Sequence, residues 1–505
     1  MNKIFKASFI LTLIVIISKL FGFLRELVVS YFYGASAITD AFYVSTLIPN
    51  FFYLIVLQAI SVAFIPVILQ MEKETDVETS SSFTSKLVIV LSFFCIGIAL
   101  IISLCSKWLI SLFAPGFDEN TCVLGGELLQ ISAWFLLLQA PVSIFSAYSQ
   151  ARKKFIIPAI FGLITDITYI VCVIISFYTK YVIILGFVPI ISIVLEFILI
   201  IPVVRKNGFK FTLEKKIGKY LKLFLFISIP TILTVGASQL NTFVGKIIGS
   251  KIAEGAISSF NYAWNICNLY ESLFISSVCV VLFSELSELI VDKEKNLLRI
   301  TTIFNNSFRI VGYSVIILSC FTSAFSEDLV RLIYGRGSFG ETAITLTSDC
   351  LSIIALSSVF YVLNNLGIRY LYAEKKTLIS TIFACCSLLT GVVLNLILFY
   401  FSNLGIKGIA IATAITNVVN CLLTYFYIII KIKIELNKSV LRVCLWFAVC
   451  VISSYSLFIL KKILLPSSNW ITIVSGITYL IIILSILCCY EWKNIKLFLK
   501  KKSLH

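Results

Sequence analysis

The sequence predicts an all-α membrane protein of about fourteen transmembrane helices, with two pseudo-symmetric six-helix lobes followed by two further helices. Three observations support this prediction: the apolarity of the chain, the length of its apolar runs, and a pattern that recurs at a fixed distance. Of the 505 residues, 59% are hydrophobic and only 13% are charged. A soluble protein has about a quarter of its residues charged, so the expected solvent of this chain is the bilayer.

The apolar runs are long and continuous rather than alternating with a period of two. A helix needs roughly 20 mostly apolar residues to cross the bilayer, and in lipid only helices and closed barrels satisfy every backbone polar group. The run lengths therefore favour helices. The predicted spans are 7–29, 41–69, 87–112, 126–149, 155–178, 181–204, 219–248, 256–287, 302–326, 343–371, 377–401, 404–430, 440–460 and 469–490.

The sequence predicts no metal site, no cofactor and no enzymatic activity. The 15 cysteines are scattered, mostly inside apolar runs, and the one histidine is His505. Without a CxxC pair they are expected to be small packing residues rather than zinc ligands. No phosphate-binding glycine-rich loop of the GxxxxGK[ST] type occurs, which argues against direct ATP hydrolysis.

The net charge of +16 is concentrated in loops on one side of the predicted spans. The basic stretches at 205–222 and 493–502 both fall on the side of the N-terminus. By the positive-inside rule, this asymmetry predicts that both termini are cytoplasmic. Contact with anionic membrane lipids explains the remaining basic character, so no nucleic-acid partner is expected.

An internal repeat relates the two halves of the chain. Ala151-Arg-Lys-Lys154 recurs as Ala373-Glu-Lys-Lys376, and Gly186 matches Gly408 at the same offset. Both basic stretches fall on the cytoplasmic side, so the repeats are predicted to be parallel, as in transporters whose lobes expose a central site to each side in turn. The predicted domains are an N-terminal lobe (1–210), a C-terminal lobe (211–435), and helices 13 and 14 with a basic tail (436–505).

Charged residues inside the spans predict the substrate site. A charge at the bilayer centre costs at least roughly 2.5–3.5 kcal/mol, so it invites a functional explanation. Lys19 and Arg25 would face one aqueous cleft if the first helix bends at Gly22, and such a positively lined gap suits phosphate or carboxylate groups. The other intramembrane charges are Glu26, Asp40, Asp166, Glu196, Lys246, Glu271, Glu285 and Arg309. For Lys246 and Arg309, a position near a span end makes snorkelling an equal or better explanation.

Several segments, in order along the whole chain, resemble the MurJ (MviN) lipid II flippases of the multidrug/oligosaccharidyl-lipid/polysaccharide exporter superfamily. The segments are Ser18–Glu26, Gly34–Phe42, Ile48–Asn50, Ala63–Pro66, Ala114–Gly116, Ile157–Ala159, Gln239–Asn241, Asn261–Ala263, Arg336–Phe339 and Tyr370–Thr377. The resemblance implies a MATE/MurJ-like fold. It also implies translocation of an undecaprenyl-diphosphate-linked disaccharide-pentapeptide across the bacterial cytoplasmic membrane, from the inner to the outer leaflet.

The same resemblance implies the substrate-binding residues. Lys19 and Arg25 match cationic positions thought to engage the diphosphate, and Asp40 matches an acidic position at the start of the second helix. Asn265 stands where the family usually has an arginine, and Phe51-Phe-Tyr53 occupies the place of another. A polyprenyl-linked saccharide and membrane lipids are the expected partners of a monomer.

The two missing arginines leave an alternative open, because a related flippase for a capsule, O-antigen or other wall polymer would also bind a lipid-linked sugar diphosphate. A cation-coupled drug exporter would prefer an acidic cavity to one with Lys19 and Arg25. A membrane glycosyltransferase or polymerase should place paired carboxylates or a histidine in a large outer loop, and the outer loops here contain no histidine.

Overall fold

A computed structural model describes residues 3–75, 77–213, 218–374, 376–402, 404–431, 437–464 and 478–479. Within these ranges the chain is almost wholly helical and has no strand, which confirms the predicted all-α fold. The helices are α1 (Lys3–Tyr33), α2 (Ala37–Glu74), α3 (Val77–Leu104), α4 (Ser106–Phe113), α5 (Glu119–Ser132), α6 (Leu136–Ala151), α7 (Ile156–Thr179), α8 (Val188–Lys206), α9 (Gly218–Ser250), α10 (Ala256–Phe274), α11 (Val280–Leu289), α12 (Lys293–Ala324), α13 (Ser326–Ile333), α14 (Glu341–Ala373), α15 (Thr377–Phe401), α16 (Ile406–Lys431) and α17 (Asn437–Leu464).

Ten stretches of the described residues are long and apolar enough to cross a membrane. Each predicted span up to 440–460 falls on one helix or on two consecutive helices. The last predicted span, 469–490, lies outside the described residues except for 478–479. The multi-pass character of the chain follows from these helices, and the count of fourteen crossings stays a prediction.

The chain divides into two compact units. The N-terminal unit comprises Met1–Ser259 with Arg336–Ala343, and the C-terminal unit comprises Phe260–Gly335 with Ile344–His505. Helix α9 belongs to the N-terminal unit because it packs along α2. The predicted lobe boundary at 210 stays a prediction.

Helix α2 is the central element of the N-terminal unit, where it contacts α5, α6 and α9, while α1 packs along α7. Pro49 and Pro66 lie inside α2, where each removes a backbone hydrogen bond and favours a kink. The first turns of α3 present buried serines and threonines, and small residues of this kind let membrane helices approach closely. Fully buried side chains at the core of this unit include Val44, Phe64, Phe83, Leu136 and Tyr148.

In the C-terminal unit, α12 packs against α17, and α15 packs against α16. A π-helical turn, Ile275–Cys279, joins α10 to α11. The predicted repeat equates α7 and α8 with α15 and α16, and each of these pairs packs together within its own unit. The buried core of this unit includes Phe304, Val311, Val362, Leu366 and Tyr370.

A short loop segment ties the end of α1 to the rest of the N-terminal unit. The Ser338 backbone N–H donates to the Tyr31 carbonyl at 2.9 Å, and Ser338 Oγ donates to the Phe32 carbonyl. Gly337 has a φ of +62°, and a Cβ there would lie 2.2 Å from the Tyr31 carbonyl oxygen. Glycine is required at this position, because only it combines a left-handed backbone with such a close approach.

Candidate functional site

Arg25 of α1 forms ion pairs with two carboxylates. Its Nη2 lies 2.6 Å from Glu26 Oε1, and its Nη1 lies 3.0 Å from Asp166 Oδ1. The ring of Tyr169 covers the guanidinium with its centroid 4.8 Å away. Glu26 is only 2% exposed. A buried charge is stable only beside an opposite charge and hydrogen-bond partners, and Arg25 provides both for Glu26.

Asp166 joins Lys19 and Arg25 electrostatically. Helix α7 approaches α1 closely at Gly22, where a Cβ would lie 3.4 Å from Asp166 Oδ2. Lys19 is exposed but close enough to Asp166 to interact with it electrostatically. The sequence suggested that a bend at Gly22 would bring the two cations together. Helix α1 runs without interruption from Lys3 to Tyr33, the bend stays a prediction, and Asp166 of α7 pairs with Arg25 while it interacts electrostatically with Lys19.

A second layer of contacts links α1 to α2 and α9. The Tyr43 hydroxyl donates to Glu26 Oε2 at 2.6 Å. Lys246 of α9 is half-buried, and its Nζ lies 5.4 Å from the centroid of the Tyr43 ring. Lys246 also interacts electrostatically with Asp40 and Glu26. It is therefore a member of the charged cluster rather than an isolated side chain at a helix end.

Asp40 caps the start of α10. Its carboxylate accepts hydrogen bonds from the backbone N–H groups of Gly255 at 2.9 Å and Ser258 at 2.7 Å, and from Ser258 Oγ at 2.6 Å. The residue is 1% exposed. Negative charge at the start of a helix is favourable because the first backbone N–H groups lack helical partners. Its expected substrate role stays a prediction, and these contacts give it a structural one.

The six groups of this charged cluster balance one another. The cations are Lys19, Arg25 and Lys246, and the carboxylates are Glu26, Asp40 and Asp166. The sequence predicted a positively lined gap, but Arg25 itself meets two carboxylates. The cluster that the described residues form is thus electrically neutral, and it can become cationic only where a carboxylate exchanges its partner or is neutralised.

Arg25 and Tyr43 also line a cavity of about 330 Å³ within the N-terminal unit, which we call the N-terminal cavity. Helices α1, α2, α6, α7 and α8 all contribute to its wall. The lining residues are Arg25, Phe42, Tyr43, Thr46, Asn50, Tyr53, Phe135, Gln139, Thr165, Tyr169, Val188, Pro189, Ser192, Ile193 and Glu196. Its volume lies at the small end of the roughly 300–1,000 Å³ typical of ligand sites, and its mixture of aromatic and polar groups is typical of them.

The positions at which the resemblance expects arginine carry other contacts. Phe51 packs against Phe243 of α9 with ring centroids 5.3 Å apart, and Tyr53 lines the N-terminal cavity. Asn265 is half-buried on α10 and belongs to the C-terminal unit. Its predicted role in substrate binding stays a prediction.

The remaining charged residues singled out in the sequence have separate surroundings. Glu196 lines the N-terminal cavity. In the C-terminal unit, Glu271 is buried and accepts a hydrogen bond from Ser358 Oγ, and Arg309 donates to Asn306 Oδ1 at 2.9 Å. Gln139, an uncharged residue, drew no attention in the sequence because an isolated glutamine in an apolar run carries no recognisable pattern.

Charges within the bilayer are unfavourable, so the charged cluster and the cavity beside it are the candidate substrate site. Such a fold and site are typical of membrane transporters for a polar or charged cargo. Two comparisons with known proteins specify which kind.

Residues 29–482 match the family described as "Lipid II flippase MurJ". A protein of Aquifex aeolicus described as a probable lipid II flippase MurJ is 30% identical over 452 residues, covering 85% of this chain and 83% of that protein. A Thermotoga maritima protein of the same description is 24% identical and covers 86% of each chain. The chain therefore belongs to the MurJ family of lipid II flippases, which confirms the resemblance seen in its motifs.

Solved structures agree on the fold. A lipid II flippase MurJ in an inward closed conformation superposes with a TM-score of 0.79 at 24% identity, covering 95% of this chain and 98% of the other. An inward-facing multidrug resistance MATE family transporter of the MOP superfamily gives a TM-score of 0.69 at 15% identity, covering 85% and 95%.

Replacing Asp40 tests whether it acts in the fold or on the substrate. We expect Asp40→Ala to destabilise the protein by about 1–3 kcal/mol, because two backbone N–H groups and a hydroxyl lose a charged acceptor. Ser258→Ala, which removes only one of these bonds, should have a smaller effect. Thermal unfolding of the purified proteins in detergent measures both. Wild-type melting of Asp40→Ala together with lost substrate binding would instead assign the residue to the substrate.

Proposed function

We propose that this protein moves lipid II, the undecaprenyl-diphosphate-linked peptidoglycan precursor, from the inner to the outer leaflet of the bacterial cytoplasmic membrane by alternating access. The observation that carries the proposal is Arg25, a cation within the bilayer that both belongs to the charged cluster and lines the N-terminal cavity. Membership of the MurJ family supplies the substrate class.

Arg25 retains donors with which to bind a phosphate. A guanidinium has five N–H donors. The carboxylates of Glu26 and Asp166 engage one donor each on Nε, Nη1 and Nη2, which leaves one N–H on each terminal nitrogen. These two N–H groups can donate charge-assisted hydrogen bonds to a phosphate, an interaction that arginine favours. The diphosphate therefore need not displace either carboxylate at first contact.

The balance of charge in the cluster serves an empty carrier and a loaded one differently. Without substrate, Glu26 and Asp166 neutralise Arg25, so the cluster is compatible with a membrane interior. A bound diphosphate adds negative charge, and in this proposal the exposed Lys19 and the half-buried Lys246 offset it. We infer that Lys246 takes over part of the role of the two arginines that this chain lacks.

Because the substrate is an amphiphile, we propose that membrane lipids surround it at the protein and that the protein has no nucleic-acid partner. We also propose that the protein acts as a transporter without enzymatic activity, as a monomer with both termini in the cytoplasm. The concentration of Lys and Arg in loops on the side of the N-terminus supports this orientation.

Arg25 should be indispensable for transport. We expect Arg25→Gln to lower the rate of lipid II translocation in reconstituted vesicles at least tenfold, because the neutral amide can neither pair with the two carboxylates nor attract the diphosphate. Arg205→Gln, which removes an exposed cation at the end of α8, is the matched control and should retain the wild-type rate. Wild-type transport by Arg25→Gln at equal protein level would refute the assignment of the site.

Depletion in living cells tests the identity of the substrate. Loss of the protein should trap lipid II in the inner leaflet, because the polar headgroup does not cross the bilayer without its flippase. The lipid-linked saccharides of each leaflet can be extracted and identified by mass spectrometry. Normal distribution of lipid II with loss of a different surface glycan would contradict the proposal and favour a related flippase.

A further inference from the structure

The N-terminal cavity contains two hydrogen-bond acceptors that the diphosphate cannot use. Gln139 on α6 is 1% exposed. Its Nε2 donates to Ser143 Oγ at 2.6 Å, but its Oε1 has no hydrogen-bond partner among the described residues. A buried acceptor left without a donor costs about 1–3 kcal/mol. Because Gln139 lines the N-terminal cavity, a ligand in the cavity is a candidate to supply the missing donor once the amide turns toward it.

Glu196 on α8 is a second buried acceptor that has few donors, and as a carboxylate it is a stronger acceptor than the amide of Gln139. It is 9% exposed, and its Oε1 accepts one hydrogen bond, from Thr165 Oγ1 at 3.0 Å. No described residue donates to Oε2. A carboxylate with one hydroxyl partner is poorly satisfied for a group inside a membrane unit. Like Gln139, it is arranged to accept from something that enters the cavity.

The acceptors lie next to the cationic end of the same cavity. Thr165 and Asp166 are consecutive residues of α7; the first bonds Glu196 and the second bonds Arg25. Successive residues of a helix are about 1.5 Å apart along its axis and point about 100° apart, so two neighbouring positions of α7 hold the group that attracts anions and the group that accepts hydrogen bonds. Arg25 and Glu196 both line the N-terminal cavity, so one ligand in it can contact both groups.

Aromatic rings form another part of the wall of the same cavity. Tyr53 and Phe135 both line the cavity, and their ring centroids lie 6.2 Å apart. Tyr169 lines the cavity where it covers Arg25. Flat apolar rings beside carboxylate and amide acceptors suit a sugar, whose ring carries apolar C–H faces and hydroxyl or amide donors at its edge. A simple anion would be repelled by Glu196, and an alkyl chain would leave both acceptors unsatisfied.

We propose that the N-terminal cavity binds the sugar residue joined directly to the diphosphate, with Gln139 and Glu196 accepting hydrogen bonds from its hydroxyl or amide groups. This inference rests on the proposed function and adds a basis for selectivity, because a site built to hydrogen-bond a group strongly discriminates against ligands that lack it. At about 330 Å³ the cavity holds one sugar rather than the whole headgroup.

The test compares two lipids that differ only in the headgroup: lipid II and undecaprenyl diphosphate, which has no sugar. Binding of each to the full-length protein in nanodiscs is measured for the wild type, Gln139→Leu and Glu196→Gln. We expect Gln139→Leu, which removes the acceptor, to bind lipid II at least tenfold more weakly, and Glu196→Gln, which keeps one neutral acceptor oxygen, to bind it severalfold more weakly. The affinity of each variant for undecaprenyl diphosphate should change less than twofold. Arg25→Gln should weaken both lipids.

Gln150→Leu is the matched control. Gln150 lies on the same helix and also donates to a serine one turn away, Ser146, but it does not line the cavity. This variant should bind both lipids as the wild type does. Thermal unfolding verifies that the variants are folded, and Gln139 and Glu196 are independent, so one folded variant suffices for the comparison.

Two results would overturn the inference. Equal weakening of both lipids by Gln139→Leu and Glu196→Gln would mean that these residues act through the fold or through a bound cation rather than on a sugar. Unchanged binding of both lipids would mean that the acceptors are unused. If the wild type bound neither lipid, the proposed function itself would fail, which is a distinguishable outcome.

Discussion

The pairing of Arg25 with Glu26 and Asp166 is the interaction on which the rest of the N-terminal unit depends. A guanidinium inside a membrane protein is tolerated only where opposite charges and hydrogen bonds compensate its lost hydration. Here the compensation comes from α1 itself and from α7, which pack along each other. The same pairing fixes Arg25 at the wall of the N-terminal cavity and keeps the empty site neutral.

Helix α7 connects the separate parts of the site. Asp166 interacts with both Lys19 and Arg25, and the preceding residue, Thr165, holds Glu196. Helix α9 adds Lys246 to the cluster through its packing along α2. A site built this way positions its groups by helix packing rather than by loops, which favours precise placement of the groups that line it.

Hydropathy alone was enough to predict the all-α fold and nearly every helix, because the requirement for about 20 apolar residues per crossing leaves a strong signal. Intramembrane charge drew attention to Arg25, Asp166 and Glu196; the structure pairs the first two and places Arg25 and Glu196 in the wall of one cavity. Their pairing was not predictable, since it depends on the contact between α1 and α7, which are separated by more than a hundred residues. The cap that Asp40 makes on α10 and the unpartnered oxygen of Gln139 arise in the same way, from tertiary contacts that leave no local pattern. The last predicted span lies outside the described residues except for 478–479.

The most direct measurement is a structure of the protein in nanodiscs, determined by cryo-electron microscopy with lipid II bound. The account predicts density for the diphosphate with phosphate oxygens about 3 Å from the terminal nitrogens of Arg25. Density for the diphosphate at a different place, with Arg25 still bonded only to Glu26 and Asp166, would contradict it.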